Sequence, residues 1–346
     1  MTVRCEPPLA AAPLDLPHFV PHPFIRGGHL QTILSLRAPQ KQPLRPRLHW
    51  VPLADGDALA LHDDLPAGWL PGGPSVMLVH GLCGNRNSPY MLRLAHRFTA
   101  QGVRVFRLEM RGCGAGHDRS AGITHAGRSA DCVAALGLIA EITSAGPIAA
   151  VGISLGGNQL LLAAGRLGAG TDPRPDWAER WTRLVAISPP IDLVRCSENM
   201  QRRLLRGYNR YFIRHLMQRL PAGIRQSPER MAHCQRPWPK TLRELDDRIT
   251  APLNGFAGAD DYYQRCSSVN HIESIQIPTL ILSAVDDPIV PADCFTAIAP
   301  QLAQHRAVRL LLAPGGGHAG FFARGTERFW MDQVIETWCR ADWPAK

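Results

Sequence analysis

The sequence predicts an α/β fold, a mostly parallel sheet flanked by helices and carrying a helical cap insertion. Three observations point to it. Short aliphatic runs recur at Val76–Val79, Val103–Leu108, Ile148–Val151, Leu184–Ile187, Thr279–Leu282 and Val308–Leu312, most followed by a glycine-rich turn and a stretch of helical period, the alternation of β-α-β units. Two half-polar runs between Leu48 and Asp64 flank the turn Asp55–Asp57 and read as an antiparallel hairpin leading into that sheet. Between Pro190 and Pro278 the strand pattern lapses, and helical spacing takes over at Leu204, Tyr208, Tyr211, Phe212, His215, Leu216 and Leu220. The expected organisation is one domain over residues 1–346, with a cap at about 190–277 and a Pro-rich N-terminal arm at about 1–45.

Composition narrows the class. At 346 residues and 45% hydrophobic the chain can bury a large core, and 31 glycines and 30 prolines without a period exclude collagen-like and low-complexity sequence. The most apolar stretch, Val133 to Ala164, is broken by Glu141, Pro147 and the glycines around Ser154, so no transmembrane segment is expected. The first residues suit neither a secretory signal nor a transit peptide, which makes a cytoplasmic location the default. Nine cysteines include no C-x-x-C pair and no zinc-type Cys/His spacing, and read as reduced, mostly buried thiols.

The chemistry centres on Gly152-Ile153-Ser154-Leu155-Gly156-Gly157, between the run Ile148–Val151 and a helical stretch from Asn158. Strand, G-x-S-x-G, helix is the context of a nucleophile elbow, where the serine sits on a sharp turn and flanking glycines leave room for the crossing backbone. The alternative is a tight or phosphate-binding glycine turn, but the motif lies on a late strand and lacks G-x-G-x-x-G spacing. A serine nucleophile requires a histidine base and an orienting carboxylate, here in the chain order Ser, Asp, His. His318 lies in a glycine-rich loop after the last expected strand. Asp286 and Asp287 follow the strand at Thr279–Leu282; the D-x-x-V-P spacing favours Asp287, with Asp286 as a loop-capping carboxylate. Backbone N–H groups of Leu82, after the first parallel strand, and Leu155, after the nucleophile, are the expected oxyanion donors. Cys83 reads as packing. This chemistry needs no metal or organic cofactor.

These motifs resemble those of the α/β-hydrolase superfamily, and within it the YheT-like branch of bacterial esterase-like and eukaryotic lipid-acting proteins. The resemblance spans most of the chain and rests on GGHLQTIL from Gly27, HGLCGNRNSPY from His80, RGCGAG from Arg111, GISLGGNQL from Gly152, the long signature from Asp246 to Asp287, and GGGHAGFF from Gly315. It implies Ser154 as nucleophile, His318 as base and Asp287 as its partner, in a serine hydrolase cleaving carboxylic esters of small molecules or lipids. An acyltransferase would use the same triad, and a non-catalytic binder of anionic ligands on a hydrolase scaffold is a remoter alternative. Cys83-Gly84-Asn85 departs from the family's acidic residue followed by Gly-Ser, which bears on substrate preference rather than on the triad. His29, Gln31, Arg111 and Asp131 are family-like positions read as structural hydrogen-bonders.

The charge of +9 is local. Residues 195–243 hold 12 Arg or Lys and 2 Glu, so the excess belongs to the cap. Arg203, Arg206, Arg210 and Arg214 fall on one helical stripe opposite the apolar face. No nucleic-acid motif or interleaved stacking aromatics accompany them, so nucleic acid is not expected as a partner. A solvated face is the plainer reading, in a chain with 35 Arg and 3 Lys; peripheral contact with anionic lipid head groups or acidic esters is the sharper one.

Overall fold

The computed structural model describes residues 3–5, 15–37, 44–325, 328–341 and 343. Among the described residues nine strands form one sheet: β1 (Val3–Cys5), β2 (Arg47–Pro52), β3 (Ala58–Asp64), β4 (Ser75–Val79), β5 (Arg104–Glu109), β6 (Ile148–Ile153), β7 (Trp181–Ile187), β8 (Thr279–Ala284) and β9 (Val308–Ala313). The spatial order is β1-β9-β8-β7-β6-β4-β5-β3-β2. The six strands from β9 to β5 are parallel, β3 runs antiparallel to β5, and β2 and β3 form the expected hairpin. The remaining antiparallel pair, β1 with β9, has no counterpart among the expected strands.

Parallel strands are covered on both faces, which is why they read as unbroken aliphatic runs. In β4 the period of two is visible in the packing. Val76 and Leu78 face a layer containing Met91 and Phe98 of α2 (Pro89–Thr99) and Trp338 of the helix Trp330–Arg340. Met77 and Val79 face the other layer, with Leu136 of α3 (Ser129–Thr143) and Leu160 of α4 (Leu155–Gly168). Full burial of such a side chain contributes roughly 1.5–3 kcal/mol.

Between β7 and β8 the described chain is helical or irregular throughout. Its principal elements are α5 (Leu193–Met200) and α6 (Arg206–Gln218), and Ile213, Met217, Ile224, Leu245 and Ile249 form a small core of their own. The apolar face of α6 differs from expectation. Its buried line is Asn209, Ile213 and Met217, whereas Leu204 is 82% exposed and Tyr211 is 40% exposed. Asn209 is drawn inward because its amide donates to the Met200 carbonyl and its side-chain oxygen accepts from the Leu242 N–H. Arg203 sits on a separate 3-10 turn, so the helical stripe is Arg206, Arg210 and Arg214; all four are exposed.

A helix, α1 (Gly28–Leu36), lies within the stretch expected to be an arm. Among the described residues no helix is long and apolar enough to cross a membrane.

Candidate active site

All six parallel strands end on one edge of the sheet, and the loops that follow them meet there. The turn after β6 carries Ser154 at φ 53° and ψ −118°, a backbone conformation that is costly for a residue with a Cβ and that occurs where the surroundings enforce it. Here Ser154 N–H donates to the Ile187 carbonyl at 2.7 Å, while the Asn158 N–H donates to the Ser154 carbonyl at 3.1 Å. The flanking glycines are demanded by space: a Cβ on Gly152 would stand 2.4 Å from the Gly156 oxygen, and one on Gly156 would stand 2.7 Å from the His80 oxygen.

Asp287 follows β8, and its two oxygens have separate tasks. Oδ1 accepts the N–H groups of Ile289 at 2.8 Å and Val290 at 3.0 Å, which is the physical content of the D-x-x-V-P spacing. Oδ2 faces His318 Nδ1 at 2.9 Å. On the far side of the ring, Nε2 lies 2.8 Å from Ser154 Oγ. The tautomer that carries its proton on Nδ1 donates to the buried carboxylate and leaves Nε2 as a hydrogen-bond acceptor for the Ser154 hydroxyl. Asp286 points the other way: its Oδ1 accepts the Gly317 N–H at 2.9 Å and so ties the acid turn to the histidine loop. Burial raises the Asp286 carboxyl above its ordinary range, against the pull of that N–H.

Leu82 and Leu155 both line the cavity beside Ser154. Leu155 is the first residue of α4, and the first N–H groups of a helix have no intrahelical acceptor. The loop carrying Leu82 is braced by Tyr90, whose hydroxyl accepts the Gly81 N–H at 2.9 Å.

The cavity encloses ≈ 560 Å³ between sheet edge and cap. Its cap side is mostly apolar, with Met200, Phe212, Leu216, Met217 and Ile249 among the lining groups, and His215, Arg219 and Asp246 among its polar ones. Cys83 also lines it, and burial pushes that thiol up to about 12, away from the thiolate form. Asp246 lies in the wall, accepting hydrogen bonds from Thr250 Oγ1 at 2.8 Å and from the Tyr263 hydroxyl at 2.8 Å; burial raises its carboxyl to about 6.

Sequence reasoning left α1 without a mechanistic role. Thr32 Oγ1 accepts the His318 N–H at 2.8 Å while its own hydroxyl donates to the Gly28 carbonyl. Gln31 Oε1 accepts the Phe322 N–H at 2.8 Å. A Cβ on Gly28 would stand 1.7 Å from the Asp286 carbonyl oxygen, so the glycine allows the helix to press on the acid turn. The signal was the string GGHLQT, whose Gln31 and Thr32 share one helical face with Gly28 and Ser35. His29 is exposed and lies 3.1 Å from the Tyr208 hydroxyl. Arg111 and Asp131 form a bidentate pair at 3.1 and 2.8 Å, and Arg111 also holds Asp57 at 2.9 Å.

An α/β sheet with an elbow serine at its carboxyl edge defines the hydrolase class of this architecture. A sequence model described as the alpha/beta hydrolase fold matches residues 74–324, and the chain belongs to that family. It is 31% identical to the Escherichia coli protein named "Putative esterase YheT" over 330 residues, covering 92% of each chain. It is 28% identical to phospholipase ABHD3 of Mus musculus, covering 90% of this chain and 75% of that one. Among solved structures, the 2,6-dihydroxy-pseudo-oxynicotine hydrolase superposes with a TM-score of 0.57 at 16% identity over 90% of this chain and 71% of that one. Est1E from Butyrivibrio proteoclasticus does so at 0.52 and 16%, over 84% and 96%. At those identities the likeness is one of fold.

Proposed function

We propose that the protein is a serine hydrolase that cleaves carboxylic esters through Ser154, His318 and Asp287, with residues of about 190–277 serving as a lid. The observation that carries this reading is the unbroken hydrogen-bond line from Ser154 Oγ through the imidazole to Asp287, opening onto a largely apolar cavity.

In this mechanism His318 Nε2 takes the Ser154 proton as Oγ attacks the ester carbonyl. The Leu82 and Leu155 N–H groups stabilise the oxyanion, and the imidazolium returns the proton to the departing alcohol. Water, deprotonated by the same imidazole, then attacks the acyl-enzyme carbonyl, and the imidazolium returns that proton to Ser154 Oγ as the Oγ–acyl bond breaks and the acid leaves. Asp287 holds the ring through Nδ1 and offsets its developing positive charge.

The apolar cap wall fits an apolar acyl chain, and relatives named phospholipase ABHD3 and monoacylglycerol lipase ABHD2 support a lipid or small-molecule ester as substrate. The eight free cysteines of the described chain suit a reducing compartment, hence the cytoplasm.

A fluorophosphonate probe should label the folded protein at Ser154. Ser154→Ala should abolish labelling and lower hydrolysis of a short p-nitrophenyl ester by roughly 10⁴–10⁶-fold without changing the melting temperature. An unlabelled wild type, or a variant that keeps its esterase activity, would refute the mechanism.

A further inference from the structure

The cavity beside Ser154 carries one cation that the fold does not pair. Its described lining includes two arginines and one carboxylic acid, Arg111, Arg219 and Asp246. Arg111 is occupied inside the fold, where Asp55, Asp57 and Asp131 hold its guanidinium at 2.6, 2.9 and 2.8 Å. Asp246 turns to the hydroxyls of Thr250 and Tyr263, and the cation that acts on it is Arg243. Of the lining histidines, burial lowers His125 to about 3, and His215 directs Nδ1 at the Tyr211 carbonyl. Arg219 stands apart from all of these. Among the described residues no carboxylate forms an ion pair with it, and no acceptor takes a hydrogen bond from its guanidinium.

Helical spacing places it. Phe212, His215, Leu216 and Arg219 stand at i, i+3, i+4 and i+7, one face of α6 carried into its C-terminal cap, and all four line the cavity. The guanidinium itself is felt inside: the Arg219 charge draws the Cys83 and Cys113 thiols down, against the burial that raises both. Both cysteines line the cavity, and Cys83 follows Leu82, the residue assigned an oxyanion N–H.

A guanidinium beside apolar walls attracts opposite charge more strongly than one surrounded by water, because less solvent screens it. Its planar fork of N–H donors matches two oxygens of a carboxylate or a phosphate. We propose that Arg219 is a specificity-determining residue, which receives an anionic group, carboxylate or phosphate, that the substrate carries in addition to its scissile ester. That the occupant is an ester rests on the proposed hydrolase reading; the anion site itself does not.

The test reads binding and turnover separately, on the full chain. In calorimetric titrations hexyl phosphate should bind wild type at least about tenfold more tightly than hexanol, and Arg219→Gln should lose about that factor. Arg219→Lys should keep part of it, as a point charge without the fork. Arg210→Gln, an exposed α6 position outside the cavity lining, should keep the wild-type affinity and turnover. Turnover is compared in two matched pairs: monomethyl adipate with methyl hexanoate, and hexanoylglycerol phosphate with hexanoylglycerol. The anionic member of at least one pair should have the higher kcat/KM, and Arg219→Gln should erase that preference through KM. The pair that responds tells whether the anion is a carboxylate on the acid side or a phosphate on the alcohol side. Turnover without preference in either pair overturns the proposal, as does a preference that survives Arg219→Gln or that Arg210→Gln removes equally. A lowered melting temperature in Arg219→Gln with the preference intact also overturns it, since the arginine would then serve only the carbonyls at the end of α6. Hexyl phosphate binding that depends on Arg219, with no turnover of any of these esters, refutes the esterase reading and leaves the anion site standing.

Discussion

Arg107 in β5 and Arg210 in α6 mark the difference between the α/β body and the cap. Arg107 is fully buried; its Nε and Nη2 donate to the two oxygens of Asp64 at 2.7 and 3.0 Å, and Nη1 donates to the Arg86 carbonyl. Arg104 does the same with Asp63, and Arg93 with Asp332. In the cap, Arg202, Arg203, Arg206, Arg210 and Arg214 all lie in water. The body therefore uses guanidinium groups as internal clamps, two pairs of which, Arg104 with Asp63 and Arg107 with Asp64, join β5 to the antiparallel strand β3. The cap leaves them as surface charge. Net charge and structural charge are therefore separate quantities here: the arginines that set the +9 are not those that hold the fold.

The largest effect expected from this contrast is on Arg107. Arg107→Ala strands the Asp64 carboxylate in the interior, where burial already pushes its carboxyl up despite the guanidinium. A loss of about 3–5 kcal/mol in denaturant unfolding follows. Removing both partners, as Arg107→Met with Asp64→Leu, should recover a large part of that loss, because no charge is then left unpaired. A loss below about 1 kcal/mol in the single variant would erase the distinction between clamp and surface charge.

An intermediate effect sits inside the cap wall. Asp246 is a buried carboxyl whose hydrogen-bond donors are hydroxyls, those of Thr250 and Tyr263, rather than a guanidinium. Its folded value of about 6 lies above the ordinary 3.8. Between those values the folded protein holds more of this proton than the unfolded chain, so the group makes stability fall as pH rises from about 4 to 6, and the deficit persists above. Asp246→Asn removes the charge. The stability of the variant relative to wild type should rise across that window by on the order of 2–3 kcal/mol, read as melting temperature against pH. A difference that does not change with pH would show that Asp246 titrates normally.

The same contrast explains what could be read in advance. The parallel strands were legible because burial on both faces leaves long aliphatic runs. The acid turn was legible because D-x-x-V-P encodes two N–H groups on one carboxylate oxygen, those of Ile289 and Val290. Reading fails where a polar group is required inside. Helix α1 hid within a Pro-rich stretch because Gln31 and Thr32 face inward and Leu30 and Ile33 face out. The face of α6 was legible in part: Phe212, Leu216 and Leu220 do line the cavity, but Asn209 occupies a buried position to satisfy the Met200 carbonyl and the Leu242 N–H. Apolar periodicity identifies an inner face only where no hydrogen-bonding task competes for it.

The smallest effect is expected at Arg210. Its neighbours at four residues' spacing, Arg206 and Arg214, carry the same charge and share its exposure. Like charges at that spacing on a helix oppose each other by a few tenths of a kcal/mol. Arg210→Gln therefore changes unfolding free energy by less than about 0.5 kcal/mol, with any change favouring the variant. The gain should shrink on adding salt, because screening removes the repulsion that the substitution relieves. A loss above about 1 kcal/mol, indifferent to salt, would mean that the Arg210 stem packs on the cap, and the cap would then hold its arginines in the manner of the body.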